Sequence, residues 1–492
     1  MTPGASTTAP VAHADRFFIG GEWVAPSTDA TIDVIDSTNE ERYYTIAEAA
    51  PDDISRAIAA ARQAFDEGPW PHLSHAERAE HLRAMAEGLQ KHGDALGQLW
   101  PRQTGALFSV AQHAARIGSR SLESYAVLAD TFPFVEECAP TGGGEFGLLV
   151  REPVGVVGAI IPWNAPVGLI CHKVAPALLA GCTVVLKSSP EAPGEGYVFA
   201  EVAEEIGLPQ GVLNVLTADR EVSELLVRDP GVDKITFTGS TAAGRRIASL
   251  CGERIARCTL ELGGKSAAVI LDDMDLATAA KTIARAECTL SGQVCSSLTR
   301  IVVSKHRHDE LVEALAGNFA KVRVGDPFDE KSQMGPLVSE RQRDRVEGYI
   351  AKGVDEGARL VTGGGRPKDL ARGYYVEPTV FDNVDNSSTI AREEIFGPVL
   401  TVIPAADEKD AVRIANDTIY GLNASVFTHD VDRAREVAGQ IRSGTVGHNA
   451  FRTDFGMSFG GFKQSGIGRE GVKEGLQPFL ETKSVILEGR PS

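Results

Sequence analysis

Three residues of this chain have the types that nucleophilic catalysis needs: Cys295 in Gly292-Gln293-Val294-Cys295, Glu261 in Glu261-Leu262-Gly263-Gly264-Lys265, and Asn164 in Pro162-Trp163-Asn164. A cysteine thiolate is a strong nucleophile that can carry an acyl group as a thioester. A glutamate at the end of a strand, just before two glycines, can reach a cleft and take a proton from water. An asparagine amide can donate to an oxygen on which negative charge develops. Each has an ordinary alternative: Asn164 as a cap on the helix that follows, Glu261 in a salt bridge, a cysteine as a small buried hydrophobe. The ordinary reading is adopted for Cys138, Cys171, Cys182, Cys251, Cys258 and Cys288. Cys295, after an expected helix and a Gly-Gln turn, is the best placed of the seven.

A second chemistry concerns phosphate. Phe237-Thr238-Gly239-Ser240-Thr241-Ala242-Ala243-Gly244 reads as an apolar strand ending in a small-residue turn that opens a helix. There, free N–H groups and the helix dipole can meet a pyrophosphate, and a plain strand-to-helix turn is the alternative. Gly142-Gly143-Gly144-Glu145-Phe146-Gly147 also matches GxGxxG. It is expected to be a turn, with no strand before it and an extended Leu148–Val150 run rather than a helix after it.

The elements that must position these residues alternate. From Val154 onward, β-branched runs (154–161, 183–186, 212–216, 234–238, 258–261) are interleaved with helical patterns (166–180, 194–206, 242–250), the signature of βαβ units and a doubly wound parallel sheet. After Leu276 a helix is expected to run to Leu290. Strands near 301–303, 400–403 and 425–427 then make a second α/β block. Helices are expected at 54–65 and 76–92, and a polar hairpin-like stretch near 141–152. Gly363–Gly365 and 382–388 read as surface connections.

Bulk properties exclude other classes. The chain has 492 residues, 43% hydrophobic and 24% charged, which suits a globular protein of two or three domains. A net charge of −18 without any basic run argues against nucleic acid or anionic lipid as a partner. Seven scattered cysteines make no disulfide framework and no Cys-x-x-Cys metal pair, so no metal is expected and a reducing compartment is. Residues 1–15 lack the basic and apolar regions of a secretory signal, and no stretch has the ~18 apolar residues of a membrane span.

With Glu393-Glu394-Ile395-Phe396-Gly397-Pro398, the motifs come in an order that resembles the aldehyde dehydrogenase superfamily over roughly residues 17 to 485. The resemblance implies an α/β fold: a Rossmann-like doubly wound cofactor domain (17–131 and 152–262), a second α/β catalytic domain (263–463) and a small β oligomerisation extension (132–151 and 464–492), after a flexible tail (1–16). It implies oxidation of an aldehyde to a carboxylic acid. A planar carbonyl gives up hydride poorly, so Cys295 first makes a tetrahedral adduct, and Glu261 then activates water against the thioester. Asn164 and the Cys295 N–H would form the oxyanion hole, and Lys173 with Glu470 a proton exit. The implied cofactor is NAD, with NADP possible. It would be held by Ile161, Trp163, Lys187, Thr238, Gly239, Ser240, Gly244, Leu262, Glu394 and Phe396.

Many NAD-preferring relatives carry a glutamate three residues after the lysine, and here that position is Pro190, with Glu191 one residue later. The implied substrate walls are Ala165, Leu169, His172, Val294, Ser296, Phe459 and the 451–455 loop, a lining for an uncharged aldehyde in which Arg452 or His172 could serve a polar end. Glu481 is expected to tie Arg257 and Arg469 across a subunit contact, in a cytoplasmic homodimer or homotetramer. The rival readings are a coenzyme A-acylating or semialdehyde-specific relative and a non-catalytic NAD-binding one.

Overall fold

A computed structural model describes residues 10–491. Five strands, Arg257–Glu261, Lys234–Thr238, Val156–Ile160, Thr183–Ser188 and Leu213–Thr217, lie side by side in that spatial order, all parallel. Their sequences are near-continuous apolar runs because helices cover both faces. Short antiparallel strands extend the two sides, Gly466–Ile467 beside Glu261, and Phe17–Ile19 beside Val215 with Glu22–Val24 outside it. The chain leaves the central strand Val156–Ile160 first to one side and later to the other. Strand order therefore reverses between it and Lys234–Thr238, which opens a crevice at their carboxyl ends.

The helix Pro166–Ala180 rises from that crevice, starting at a proline that suits a first helical turn and ending at Gly181. Thirteen of its residues are buried, because it lies between the sheet and the helices His75–Lys91 and Ala114–Ala126. On the other side of the crevice, the Ser240 hydroxyl accepts from Ala243 N (3.3 Å) and caps the helix Thr241–Glu253.

A second sheet of seven strands has Arg300–Ser304 and Ala267–Ile270 at its centre, and only its edge strand Arg359–Thr362 runs antiparallel. A third sheet pairs Leu480–Leu487, Phe146–Pro153 and Val135–Cys138 in antiparallel register. No helix of the described residues is long and apolar enough to cross a membrane.

Several local expectations are corrected. A strand, Val135–Cys138, does precede the glycine run 142–147, which is the turn of a hairpin. Cys138 is exposed there and Cys258 only partly buried, so neither is a core thiol. Asp382 is the last residue of the buried strand Thr379–Asp382, not a surface connection. Of the expected tail, residues 1–9 lie outside the described residues. The chain is anchored beyond them, because Val11 is buried and Ala12 N donates to Glu201. The helix from Leu276 stops at Glu287, and the reason bears on the site.

Candidate active site

The cysteine loop is set by unusual backbone. Leu290 (φ 48°), Ser291 (φ 57°) and Gly292 (φ 71°) are all left-handed, which ends the helix early and turns the chain inward. Two of these are not glycine, so the conformation is costly and must be held from outside. Gln293 holds it: its amide donates to the Leu290 carbonyl (3.0 Å) and its Oε1 accepts from Val338 N (2.9 Å). Ser291 Oγ adds a bond to the Gly335 carbonyl (2.8 Å). Cys295 emerges half-buried from this braced turn.

The segment after Glu261 docks against that turn through its two glycines. A Cβ on Gly264 would stand 2.4 Å from the Cys295 carbonyl oxygen, and one on Gly263 2.2 Å from Glu394 Oε2. Backbone contact thereby fixes the separation between the strand end that carries Glu261 and the loop that carries Cys295. Gly264 N also donates to Glu394 Oε1 (3.2 Å).

Glu261 is 2% exposed, and neither carboxylate oxygen has a hydrogen-bonding partner among the described residues. Burial pushes its carboxyl well above the ordinary range and the nearby Glu470 pushes it further, against the pull of Lys173 and Arg469. Burial likewise raises the Cys295 thiol, with Glu394 and Glu261 adding to the rise. The proton-bearing forms of both groups are thus favoured. Glu470 pairs with the fully buried Lys173, and its backbone pairs with Phe459 in both directions (2.7 and 2.8 Å).

Asn164 faces the same loop from the other side. Its Nδ2 donates to the Gln293 carbonyl (3.0 Å), which leaves the second amide hydrogen for another acceptor, and its own carbonyl accepts from Trp100 Nε1 (2.9 Å). Cys295, Glu261 and Asn164 all line one cavity of about 720 Å³.

By the elements that line it, that cavity divides into two parts, termed lobes. One lies over the crevice and is lined by Thr238, Gly239, Ser240, Leu262, Trp163, Glu394 and Phe396, with Arg220, Arg341 and Arg345 at its rim. Here Thr238 Oγ1 is buried without a partner, and burial raises Glu394 to about 7. Trp163 and Phe396 meet edge to face (5.4 Å, 84°). A helix N-terminus, an unpartnered hydroxyl and a buried carboxyl around an aromatic pair fit a dinucleotide. The other lobe is lined by Ala165, Leu169, His172, Val294, Ser296, Phe455 and Phe459.

Not every anticipated residue reaches the cavity. Ile161, Lys187, Gly244 and Lys173 lie behind its wall: Ile161 N donates to the Lys187 carbonyl, and Gly244 packs on the Leu262 side chain. Lys187 is buried, which lowers it to about 8. Arg452 does not line the cavity, since its stem packs against Gly447. Within the chain Glu481 pairs with Arg257 (2.7 Å), and Arg469 donates to the Gly461 and Gly468 carbonyls. Glu191 pairs with Arg341 and accepts from Ser189 Oγ.

Trp100, Ile117, Arg220, Arg341 and Arg345 were not anticipated from sequence. They sit in helices whose apolar or charged faces look ordinary, and no local motif marks them.

Residues 23–485 match the family model described as "Aldehyde dehydrogenase family". The chain is 44% identical over 475 residues to a geranial dehydrogenase of Castellaniella defragrans, covering 96% of this chain and 99% of that protein. Among solved structures, a Mycobacterium tuberculosis aldehyde dehydrogenase complexed with NAD+ is 45% identical. It superimposes with a TM-score of 0.94 over 97% of this chain and 99% of that one. A mutant of aldehyde dehydrogenase C from Pseudomonas syringae, complexed with NAD+ and octanal, is 37% identical with a TM-score of 0.94, covering 99% and 100%.

Proposed function

The chain belongs to the aldehyde dehydrogenase family, and from that premise we propose that it oxidises an uncharged, largely apolar aldehyde to the acid through a thioester on Cys295. NAD is the cofactor, and when bound it supplies the hydride acceptor. The observation that carries this reading is the meeting of Cys295, Glu261 and Asn164 in one cavity, with the lobe over the crevice on one side and the apolar lobe on the other.

The Cys295 thiol first loses its proton to solvent, and the thiolate sulfur then bonds to the aldehyde carbon as the carbonyl π electrons move to oxygen. The free amide hydrogen of Asn164 and the backbone N–H of Cys295 stabilise that oxygen, a contribution of about 3 kcal/mol per donor in comparable sites. The carbon–hydrogen bond then breaks with its electron pair, which leaves a thioester. Glu261 takes a proton from water, whose oxygen adds to the thioester carbon. The carbon–sulfur bond breaks and the thiolate returns. Glu470 and Lys173, paired beside Glu261, lead that proton away.

A carboxyl 2% exposed at the thioester favours water over coenzyme A as acceptor, and among the described residues the substrate lobe offers no lysine or arginine to a semialdehyde's carboxylate. A single-turnover assay tests the reading. Glu261→Gln should release one equivalent of NADH per active site and then stall, whereas Cys295→Ala should release none. A Cys295→Ala protein that still reduces NAD with aldehyde removes the mechanism, and no activity across a broad aldehyde panel returns the non-catalytic reading.

A second cofactor reading has its own observation. Glu191, the acid nearest the position where Pro190 stands, is already paired with Arg341. Its hold on a ribose 2′-hydroxyl is weakened, and the arginine is available to a 2′-phosphate, so NADP is accepted alongside NAD. For the assembly we propose a homodimer or homotetramer joined through the three-stranded sheet, on which Val135 and Ile486 are exposed.

A further inference from the structure

The helix Pro166–Ala180 begins just after Asn164 and brings Gly168, Leu169 and His172 to the cavity wall, together with its N-cap Ala165. One helical face supplies them, since residues a turn apart are neighbours on a helix. That face gains bulk as the chain leaves Asn164. Ala165 and Gly168 carry a methyl group and a hydrogen, and only then do Leu169 and His172 follow.

Glycine is a poor choice for a helix, because it loses the most backbone freedom on folding. A left-handed backbone would justify one, but Gly168 lies within the helix and has no positive φ. Close packing would justify one too, as at Gly118 on the neighbouring helix Ala114–Ala126, where a Cβ would stand 2.8 Å from Val167 Cγ1. At Gly168 neither reason applies: a Cβ there would meet no atom of the described residues within 4 Å. The other glycine on the cavity wall, Gly239, is hemmed in, with the Phe237 ring 2.4 Å from where its Cβ would be. The open space in front of Gly168 is therefore the cavity itself.

Elsewhere the substrate lobe is lined by large apolar side chains, Trp100, Ile117, Phe455 and Phe459. Such walls gain dispersion contacts only from a body that reaches them, and an unfilled gap forfeits those contacts. Resting on the reading of this cavity as an aldehyde site, we propose that Gly168 is a specificity-determining residue whose missing side chain makes room for a broad apolar aldehyde, branched or ring-bearing. A straight alkanal leaves the space empty. A side chain grafted at position 168 takes the space that the wider body needs.

The test compares octanal, a slender substrate, with cyclohexylacetaldehyde and phenylacetaldehyde, which hold the same number of carbons in a broader body. Each is run with NAD in the unmodified protein, Gly168→Ala and Gly168→Leu. The ratio of kcat/KM for ring-bearing over straight aldehyde should fall about threefold in Gly168→Ala and about thirtyfold in Gly168→Leu, mainly through KM. A ratio that does not move, or an equal loss for every aldehyde, overturns the proposal. Thermal unfolding checks the premise. Gly168→Ala should melt at or above the temperature of the unmodified protein, because alanine favours the helix and its methyl meets open space. A lower Tm would mean that packing requires the glycine, and the proposal fails. Equilibrium binding of the same aldehydes to Cys295→Ala and to Cys295→Ala/Gly168→Leu, with NAD present, reads the available room without turnover. If binding shows the expected change in ratio but the unmodified protein makes no NADH, the oxidation reading fails and the role of Gly168 stands. If turnover is intact and the ratio is flat in both assays, only the role of Gly168 fails.

Discussion

The lobe over the crevice is shaped by strand ends and close backbone contacts as well as by side chains, whereas the lobe beside it is walled mainly by side chains. In the first, Gly263 and Gly264 bring main chain to within contact of Glu394 and of the Cys295 carbonyl, and Gly239 and Ser240 follow directly from a central strand. In the second, Trp100, Ile117, Leu169, His172, Phe455 and Phe459 come from three helices and a long loop. A wall made of backbone tolerates almost no added atom. A wall made of side chains can be re-lined without disturbing the chemistry next to it.

That contrast orders the consequences of mutation. The largest loss is expected where the lobes meet: Glu261→Gln should cut steady-state turnover by about 10²–10⁴-fold while sparing the first equivalent of NADH. Gly264→Ala should cost about a hundredfold in kcat, since the new methyl must displace the Cys295 loop by a sizeable fraction of an ångström. Equal activity in that variant would break the distinction between the two walls.

A pH profile sharpens it. In the proposed mechanism Glu261 acts as a base only when ionised, and burial raises its carboxyl, so turnover should climb with pH along a limb shifted above the ordinary carboxylate range. In Glu261→Gln that limb should vanish from the residual turnover. On the substrate side, Phe459→Leu and Leu169→Phe should redistribute kcat/KM among aldehydes by about tenfold and leave the cofactor's KM unchanged. The smallest effect is expected at the rim. Arg341→Ala should lower kcat/KM for NADP by about threefold to tenfold relative to NAD, since an exposed ion pair is worth about 1 kcal/mol.

The same contrast explains what could be read from sequence. The helix 166–180 and the strand 234–238 were legible residue for residue, because apolar runs and glycine stops express a parallel sheet locally. That Cys295, Glu261 and Asn164 meet in one cavity was legible from their short motifs, and the glycines beside Glu261 and Cys295 are needed for close approach. The helix after Leu276 was over-extended to Leu290, since left-handed φ at Leu290 and Ser291 has no sequence signal and is imposed by Gln293 and its remote partners. Arg452 was misplaced and Trp100 and Ile117 were missed for one reason. Which side chain faces the substrate lobe depends on packing between segments hundreds of residues apart.

The central claim is that substrate carbon becomes bonded to one sulfur. The direct measurement is rapid acid quenching of Glu261→Gln during its first turnover with NAD and an aldehyde, followed by mass spectrometry of the peptide that contains Cys295. The expected result is that peptide heavier by the acyl group of the aldehyde supplied, at a stoichiometry matching the NADH released. Acid formed at full rate with the peptide unmodified, or the acyl mass on any other residue, would contradict it.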